Sequence, residues 1–278
     1  MVAVAALLTI LAIASTSPFP ACDSMLVRLE SPDTTPEVFL PGIVSGPAQE
    51  YGLTVTEDWS EIYFTRDEGG RPTIMKMSCT NEGLHLPVAA PFSGHYIDGH
   101  PSLLPGGRRM VFVSRRPCPG ASQALNPWIV ERTESGWSAP QCLGKPIIDQ
   151  TVHAPSFSST GTIFASGIIR FRRSEEGYLP AERLSPDIEG YAPAVAADES
   201  YLVFSVRRSD GFGGTDLYVS FAAADGTFGT PRNLGAGINT EHVEGSPTLS
   251  LDGRYLFFSR HEDIWWVSTE VIEKLRPR

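Results

Sequence analysis

Carboxylate, imidazole and phenol side chains recur in this chain just ahead of short apolar runs. Glu50 and Tyr51, Asp98 and His100, His153, Glu189 and Tyr191, and His242 and Glu244 all take this place. Of the six histidines, His95, His100, His153 and His242 fall in these segments. Gathered around one mouth, such groups suit a sugar, a basic peptide terminus or a cation. Facing a wet channel instead, they would be satisfied by water and by neighbouring backbone. No His-x-His motif and no cysteine pair at ligand spacing supports a metal site, and no metal or other cofactor is expected. A catalytic use of the same groups would be glycosidic, with two carboxylates facing one sugar ring and Glu50, Asp98 and Glu244 as candidates. No Gly-x-Ser-x-Gly nucleophile motif is present and no acid pair stands apart, so no residue is assigned as catalytic.

The elements that must position these residues repeat along the chain. Glu244-Gly245-Ser246-Pro247-Thr248-Leu249 leads through Asp252-Gly253 into Tyr255-Leu256-Phe257-Phe258-Ser259-Arg260, and then Asp263-Ile264-Trp265-Trp266-Val267 follows. Asp-Gly between two apolar runs signals a hairpin, because Gly accepts positive φ and Asp tolerates it. Four earlier segments share the pattern, opening near Glu50, Asp98, His153 and Tyr191 and turning at Glu57-Asp58, Gly106-Gly107, Thr160-Gly161 and Asp198-Glu199. Recurrence at roughly 40–50 residues marks a propeller or an array. Leu84-x-x-Pro87, Trp137-x-x-Pro140, Tyr178-x-x-Ala181 and Phe228-x-x-Pro231 follow the first four units. Proline cannot donate to a ladder and belongs on edges, so these are outermost strands.

With a third strand between the two signatures, each unit is a four-stranded blade. The fifth unit has no outer strand of its own, but Pro36 to Ile43 aligns with Pro231 to Ile238 at a constant offset of 195. The fold class is therefore all-β: a five-bladed β-propeller of four-stranded blades, closed by an N-terminal outer strand in the last blade. A six-bladed ring is the alternative. Residues 1–22 read as a leader, 23–34 as a linker, 35–269 as one propeller domain and 270–278 as a short polar tail.

This architecture gives the remaining reactive residues a place. Cys118, after the second strand of blade 2, and Cys142, near the end of its outer strand, reach the same rim and are expected to be bridged. Cys79 lies on the opposite rim and is left over. Asp58, Asp198 and Asp252 sit in the hairpin turns, where carboxylates accept backbone N–H bonds. Arg66, Arg115, Arg207 and Arg260 end the second strands too regularly for an active site, and Arg207–Asp216 and Arg260–Asp263 pairs are expected across the following loops.

The units resemble the WD-like propeller repeats of the TolB type, most clearly in Gly211-Phe212-Gly213-Gly214-Thr215-Asp216-Leu217-Tyr218-Val219 and in Glu244 to Val267. The third unit departs most, with Thr160 where the turn Asp is usual. The resemblance implies a bacterial periplasmic protein or lipoprotein acting as a binding scaffold. In keeping with export, Val2 to Ala14 is an apolar run too short to span a bilayer comfortably, followed by small residues. Phe19-Pro20-Ala21-Cys22 resembles a lipoprotein box, which would make Cys22 a lipid anchor. A formal net charge of −10 argues against nucleic acid as a partner.

The expected function is thus an exported, monomeric scaffold of the cell envelope that binds a protein, peptide or glycan at the central funnel and top loops, without catalysis. The alternative is a carbohydrate-active enzyme, a glycoside hydrolase or lyase, that uses the funnel carboxylates.

Overall fold

Each turn signature closes an antiparallel hairpin, and the hairpins extend into five sheets built on four-stranded paths. The computed structural model describes residues 32–80, 83–185 and 188–277. The leader and Cys22 lie outside these residues. Blade 1 comprises Gln49–Val55, Glu61–Asp67, Pro72–Thr80 and Gly83–Ala89. Blade 2 comprises Asp98–Leu103, Arg109–Ser114, Asn126–Thr133 and Gln141–Cys142. Blade 3 is built of the short strands Ser156–Phe157, Ile163–Ala165, Ile169–Phe171 and Glu182–Arg183, and a separate hairpin pairs Arg173–Ser174 with Gly177–Tyr178. Blade 4 comprises Tyr191–Val195, Tyr201–Val206, Asp216–Phe221 and Arg232–Asn233. The chain's own part of blade 5 is Gly245–Leu249, Tyr255–Arg260 and Asp263–Ser268. Among the described residues no sixth blade exists.

The outermost element is split in most blades, and proline explains the split. In blade 2, Gly136–Trp137 returns along the third strand; Pro140 then interrupts, and only Gln141–Cys142 rejoins the ladder. Blade 1 carries Pro87 inside a continuous strand, at the cost of a register shift between Lys76 and Ser78.

The N-terminal segment completes blade 5. Glu37 and Val38 pair with Trp266 and Trp265, and the Phe39 N–H donates to Ile264 O at 2.8 Å. The offset of 195 holds down to single hydrogen bonds: Leu234 N–H donates to Leu217 O, Ile43 and Val44 N–H to Leu40 O, and Ile238 and Asn239 N–H to Gly235 O. Leu40 and Gly235 both adopt left-handed backbone, with φ of 45° and 85°. Phe39 is fully buried between blades 5 and 1, 5.2 Å from Phe257 and 5.3 Å from Trp266, in a cluster that also holds Trp59, Phe64 and Tyr255. Ring closure is therefore both a ladder and an aromatic plug.

Cys118 and Cys142 are joined, with their Cα atoms 5.8 Å apart. In the chain-entropy model a loop of this length contributes roughly 3 kcal/mol. The expectation for Cys79 is overturned: it too is in a disulfide.

The segment after Val267, read from sequence as a polar tail, makes one helical turn, Glu270–Glu273. Ile272 is fully buried there, packed with Val271 and Leu275 against the core of blades 4 and 5. Three apolar residues among charged ones are enough to dock a single turn.

Candidate functional site

The innermost strands begin at what we term the upper rim and end in the hairpin turns at the lower rim. Three of the expected mouth residues are not at the mouth. Glu50, Asp98 and Glu244 are each 0% exposed. Arg66 Nε meets Glu50 Oε1 at 2.7 Å, Arg116 Nη1 meets Asp98 Oδ1 at 2.6 Å, and Arg260 Nε meets Glu244 Oε1 at 3.0 Å. Backbone completes the joint: Gly46 N–H donates to Glu50 and Thr240 N–H to Glu244, both at 3.1 Å. Each guanidinium also reaches a carbonyl leaving the preceding blade, Ile43 for Arg66, Phe92 for Arg116 and Ile238 for Arg260. Acid, arginine and carbonyl thus clamp blade 5 to 1, 1 to 2 and 4 to 5. Burial pushes the Glu50 carboxyl above the usual range, against the pull of Arg66 and the Gly46 N–H.

Two expectations about the arginines are corrected with this. Arg116, not Arg115, makes the blade 2 joint, and Arg260 pairs with Glu244 rather than with Asp263. No Arg207–Asp216 ion pair forms among the described residues. Asp216 Oδ2 instead accepts from Phe212 N–H at 2.8 Å and Asn233 Nδ2 at 2.9 Å. The turn acids do behave as turn acids: Asp58, Asp198 and Asp252 accept the N–H of Ser60, Ser200 and Arg254 at 3.0, 3.0 and 3.1 Å.

The channel itself is shaped by one backbone event repeated in every blade. Gly52, His100, Ala154, Ala192 and Ser246 all have positive φ, from 44° to 57°. In blades 1, 2, 4 and 5 the ladder gains one unpaired residue at this point, which is a β-bulge. Leu53 or a proline (Pro101, Pro155, Pro193, Pro247) follows, and the missing proline N–H costs no ladder bond at a bulge. Because side chains alternate along a strand, the extra residue reverses which ones face inward. The acids ahead of the bulge turn into the blade. Thr54, Ser102, Ser156 and Thr248, two residues beyond it, line the axis.

The resulting cavity, about 460 Å³, is lined by the innermost strands of all five blades. Its hydroxyls tie neighbouring blades together: Leu103 N–H donates to Thr54 Oγ1 at 3.3 Å, Val195 N–H to Ser156 Oγ at 3.2 Å, and Thr248 Oγ1 donates to Leu53 O at 2.6 Å.

Of the expected mouth residues, only His100 lines this cavity. Its ring lies 4.9 Å from that of Tyr51. Burial, and then the His153 imidazole, hold His100 down to about 4, and burial also lowers His153. Burial followed by the Asp67 carboxylate pushes Tyr51 up to about 12. Tyr191 is 44% exposed, with its hydroxyl 2.6 Å from Thr215 Oγ1. His153 and Glu189 are exposed on the same upper rim. The His242 and His261 rings lie 3.7 Å apart and tilted by 56°, and no metal-binding cluster of three or more ligands occurs among the described residues.

At the lower rim the cavity meets Asp198, Asp252, Thr269, Glu273 and Arg276. Arg276 holds Glu273 through two bonds of 2.7 and 2.8 Å, and Asp252 holds Arg254 at 2.7 Å. Each of these three carboxyls sits below its usual range. The Arg276 bond does this for Glu273 and the Ser200 bonds for Asp198; at Asp252, burial works the other way but is outweighed by Ser250 and Arg254.

Sequence reasoning missed the lining hydroxyls and the acid–arginine joint. A signal for the joint was present, since Glu50 to Arg66 and Glu244 to Arg260 share a spacing of 16 residues. Thr54, Ser102, Ser156 and Thr248 offered one too, as a hydroxyl column one residue after the Leu or Pro.

No family model matches the chain. No curated protein matches it. Among solved structures it is similar to the catalytic domain of a GH62 α-L-arabinofuranosidase from Coprinopsis cinerea, at 10% identity and a TM-score of 0.52, covering 84% of this chain and 96% of that one. It is also similar to an α-L-arabinofuranosidase from Lactobacillus brevis, at 12% identity and a TM-score of 0.51, covering 77% and 85%. A protein assigned as TolB from Agrobacterium tumefaciens shows 15% identity and a TM-score of 0.47 over 78% of each chain. At these identities the likeness is one of fold, the β-propeller.

Proposed function

We propose that this protein is an exported, non-catalytic binding scaffold with TolB-type repeats, whose ligand seats in the central channel. The observation that carries the reading is the fate of the carboxylates. Glu50, Asp98 and Glu244, the residues a glycosidic mechanism would draw on, are fully buried in arginine joints away from the cavity. The acids that do line it are held below their usual range, whereas a general acid needs its pKa raised. What remains facing the axis is hydroxyl, proline and neutral imidazole, which binds without activating.

Export rests on cysteine chemistry. Disulfides persist in oxidising compartments, and Cys79, Cys118 and Cys142 are all bridged.

The test is capture from envelope extracts by the immobilised mature protein beside a Ser102→Leu variant, which puts a larger side chain into the channel. Mass spectrometry of the eluates should show retained material that the variant loses. Equal retention by both would place binding outside the channel. Release of new reducing ends from glycan substrates by the unmodified protein would replace the scaffold reading with the enzymatic one.

A further inference from the structure

The cavity wall has a definite hydrogen-bonding character. Thr54 and Ser156 each use a lone pair on the next blade's N–H and keep their own O–H to donate. Thr248 gives its proton to Leu53 O and keeps its lone pairs. Ser102 and Ser246, also in the wall, have no hydrogen-bond partner for their hydroxyls among the described residues. The wall therefore offers donors and acceptors in mixture, which matches groups that both give and receive.

Between these hydroxyls stand Pro101, Pro155, Pro193 and Pro247, apolar surfaces suited to C–H faces. Above the lower rim no charged side chain lines the cavity, so a charged group held there would lose hydration without a counter-charge. The charges that do occur are confined to the lower rim and already engaged, Glu273 with Arg276, Asp252 with Arg254 and Asp198 with the Ser200 N–H. The C-terminal turn borders that end, where Thr269 Oγ1 donates to Gly253 O at 2.8 Å and Arg276 lies 4.8 Å from the Phe221 ring. The exposed lining residues, Pro105, Ala197, Asp198, Asp252 and Gly253 among them, stand at the lower rim, whereas Gly52 at the other end is buried and His100, Ala154 and Ser246 are half-buried.

We propose that the channel takes an uncharged, polyhydroxylated ligand of one or two sugar rings. The proposal deepens the channel-binding reading above and rests on it. The volume of about 460 Å³ falls within the ~300–1,000 Å³ typical of small-molecule sites. His100, held neutral by its surroundings through the physiological range, adds a ring that donates at one nitrogen and accepts at the other without adding charge.

The experiment is calorimetric titration of the mature protein with neutral pentoses, hexoses and disaccharides, beside glucuronate and glucosamine as charged counterparts of similar size. Polysaccharides whose chain ends bear the same sugars are run in parallel, because free sugars and chain ends offer the same chemistry. At least one neutral sugar should bind more tightly than its charged counterparts. Ser102→Leu should weaken it by about tenfold or more, and Ser102→Ala by a few-fold, each with a melting curve to establish folding. Should Ser102→Leu fail to fold, the Ser102→Ala comparison carries the decision. Tighter binding of a charged sugar that Ser102→Leu still abolishes would overturn the ligand class and leave the channel reading standing. Sugar binding indifferent to both Ser102 variants would overturn the channel as its site. No binding by any neutral sugar would also overturn the ligand class.

Discussion

At the scale of single residues, the acids and arginines behave as units. Where the column holds Glu50, Asp98 or Glu244, an arginine follows at the end of the second strand. Glu50 faces Arg66 directly, whereas Asp98 faces Ser114 and takes Arg116 two residues on. An acid kept at this column without its arginine would be a buried unpaired charge. Read as mouth residues, Glu50 and Glu244 should tolerate change to Gln; buried in joints, they should not. We expect Glu50→Gln and Glu244→Gln each to destabilise by about 3 kcal/mol in denaturant melts, toward the low end for Glu50 because Arg66 is 19% exposed. A double variant with unchanged stability would remove the joint from this account.

His100 supplies the pH dependence. Its pKa falls from 6.5 to about 4 on folding, so between those values the unfolded chain takes up a proton that the folded chain refuses. The stability it confers is complete above pH 6.5 and is lost as pH falls toward 4. The loss is at most about 3 kcal/mol, and less because part of the ring meets the channel. His100→Asn retains a residue that tolerates positive φ and should flatten the stability profile in that window. An unaltered slope would assign the dependence elsewhere.

At the scale of elements, the ring is not uniform. Buried ion-pair joints bind blades 4, 5, 1 and 2 in sequence, whereas blade 3 has neither joint and its four strands are of two or three residues. Its outer strand is held by Glu182 bridging Arg170 and Arg172 at 2.7 and 3.0 Å, partly in solvent. Native-state hydrogen exchange should therefore find blade 3 opening first, with the second strands of blades 1, 4 and 5 most protected. Uniform protection around the ring would contradict this. The N-terminal strand is the other element with a measurable role: Phe39→Ala should cost about 3–5 kcal/mol, since it empties a fully buried aromatic site at the closure.

The same scale explains the glycines of Gly211 to Gly214. A Cβ on Gly213 would stand 2.4 Å from the Glu241 backbone, so this loop can press against the start of blade 5 only without a side chain. The motif that most clearly suggested a repeat family is thus an inter-blade contact.

At the scale of the whole molecule, a disulfide inside blade 2 adds a covalent tie to a ring that the N-terminal strand closes by its ladder. Thiol labelling of the denatured, unreduced protein should find no reactive thiol at Cys79, Cys118 or Cys142. Labelling at Cys79 would restore it as the odd cysteine.

The repeat, the number of blades and the closing strand were legible in the sequence because a propeller builds each blade from the same local pattern. Turn residues, β-branched and aromatic runs and edge prolines are all short-range signals, and the offset between Pro36 and Pro231 carried the closure. Which way each polar residue points was not legible. Glu50 and Arg66 are direct partners across one hairpin, yet the sequence shows them only as separate columns. The deciding event is the left-handed backbone at Gly52, His100, Ala154, Ala192 and Ser246, filled by Gly, His, Ala or Ser, with a ladder bulge in blades 1, 2, 4 and 5. One extra backbone residue reverses the alternation of the strand, sending the acids into the blades and the hydroxyls to the axis. Only the tertiary structure, in which the five innermost strands meet around one channel, could decide that.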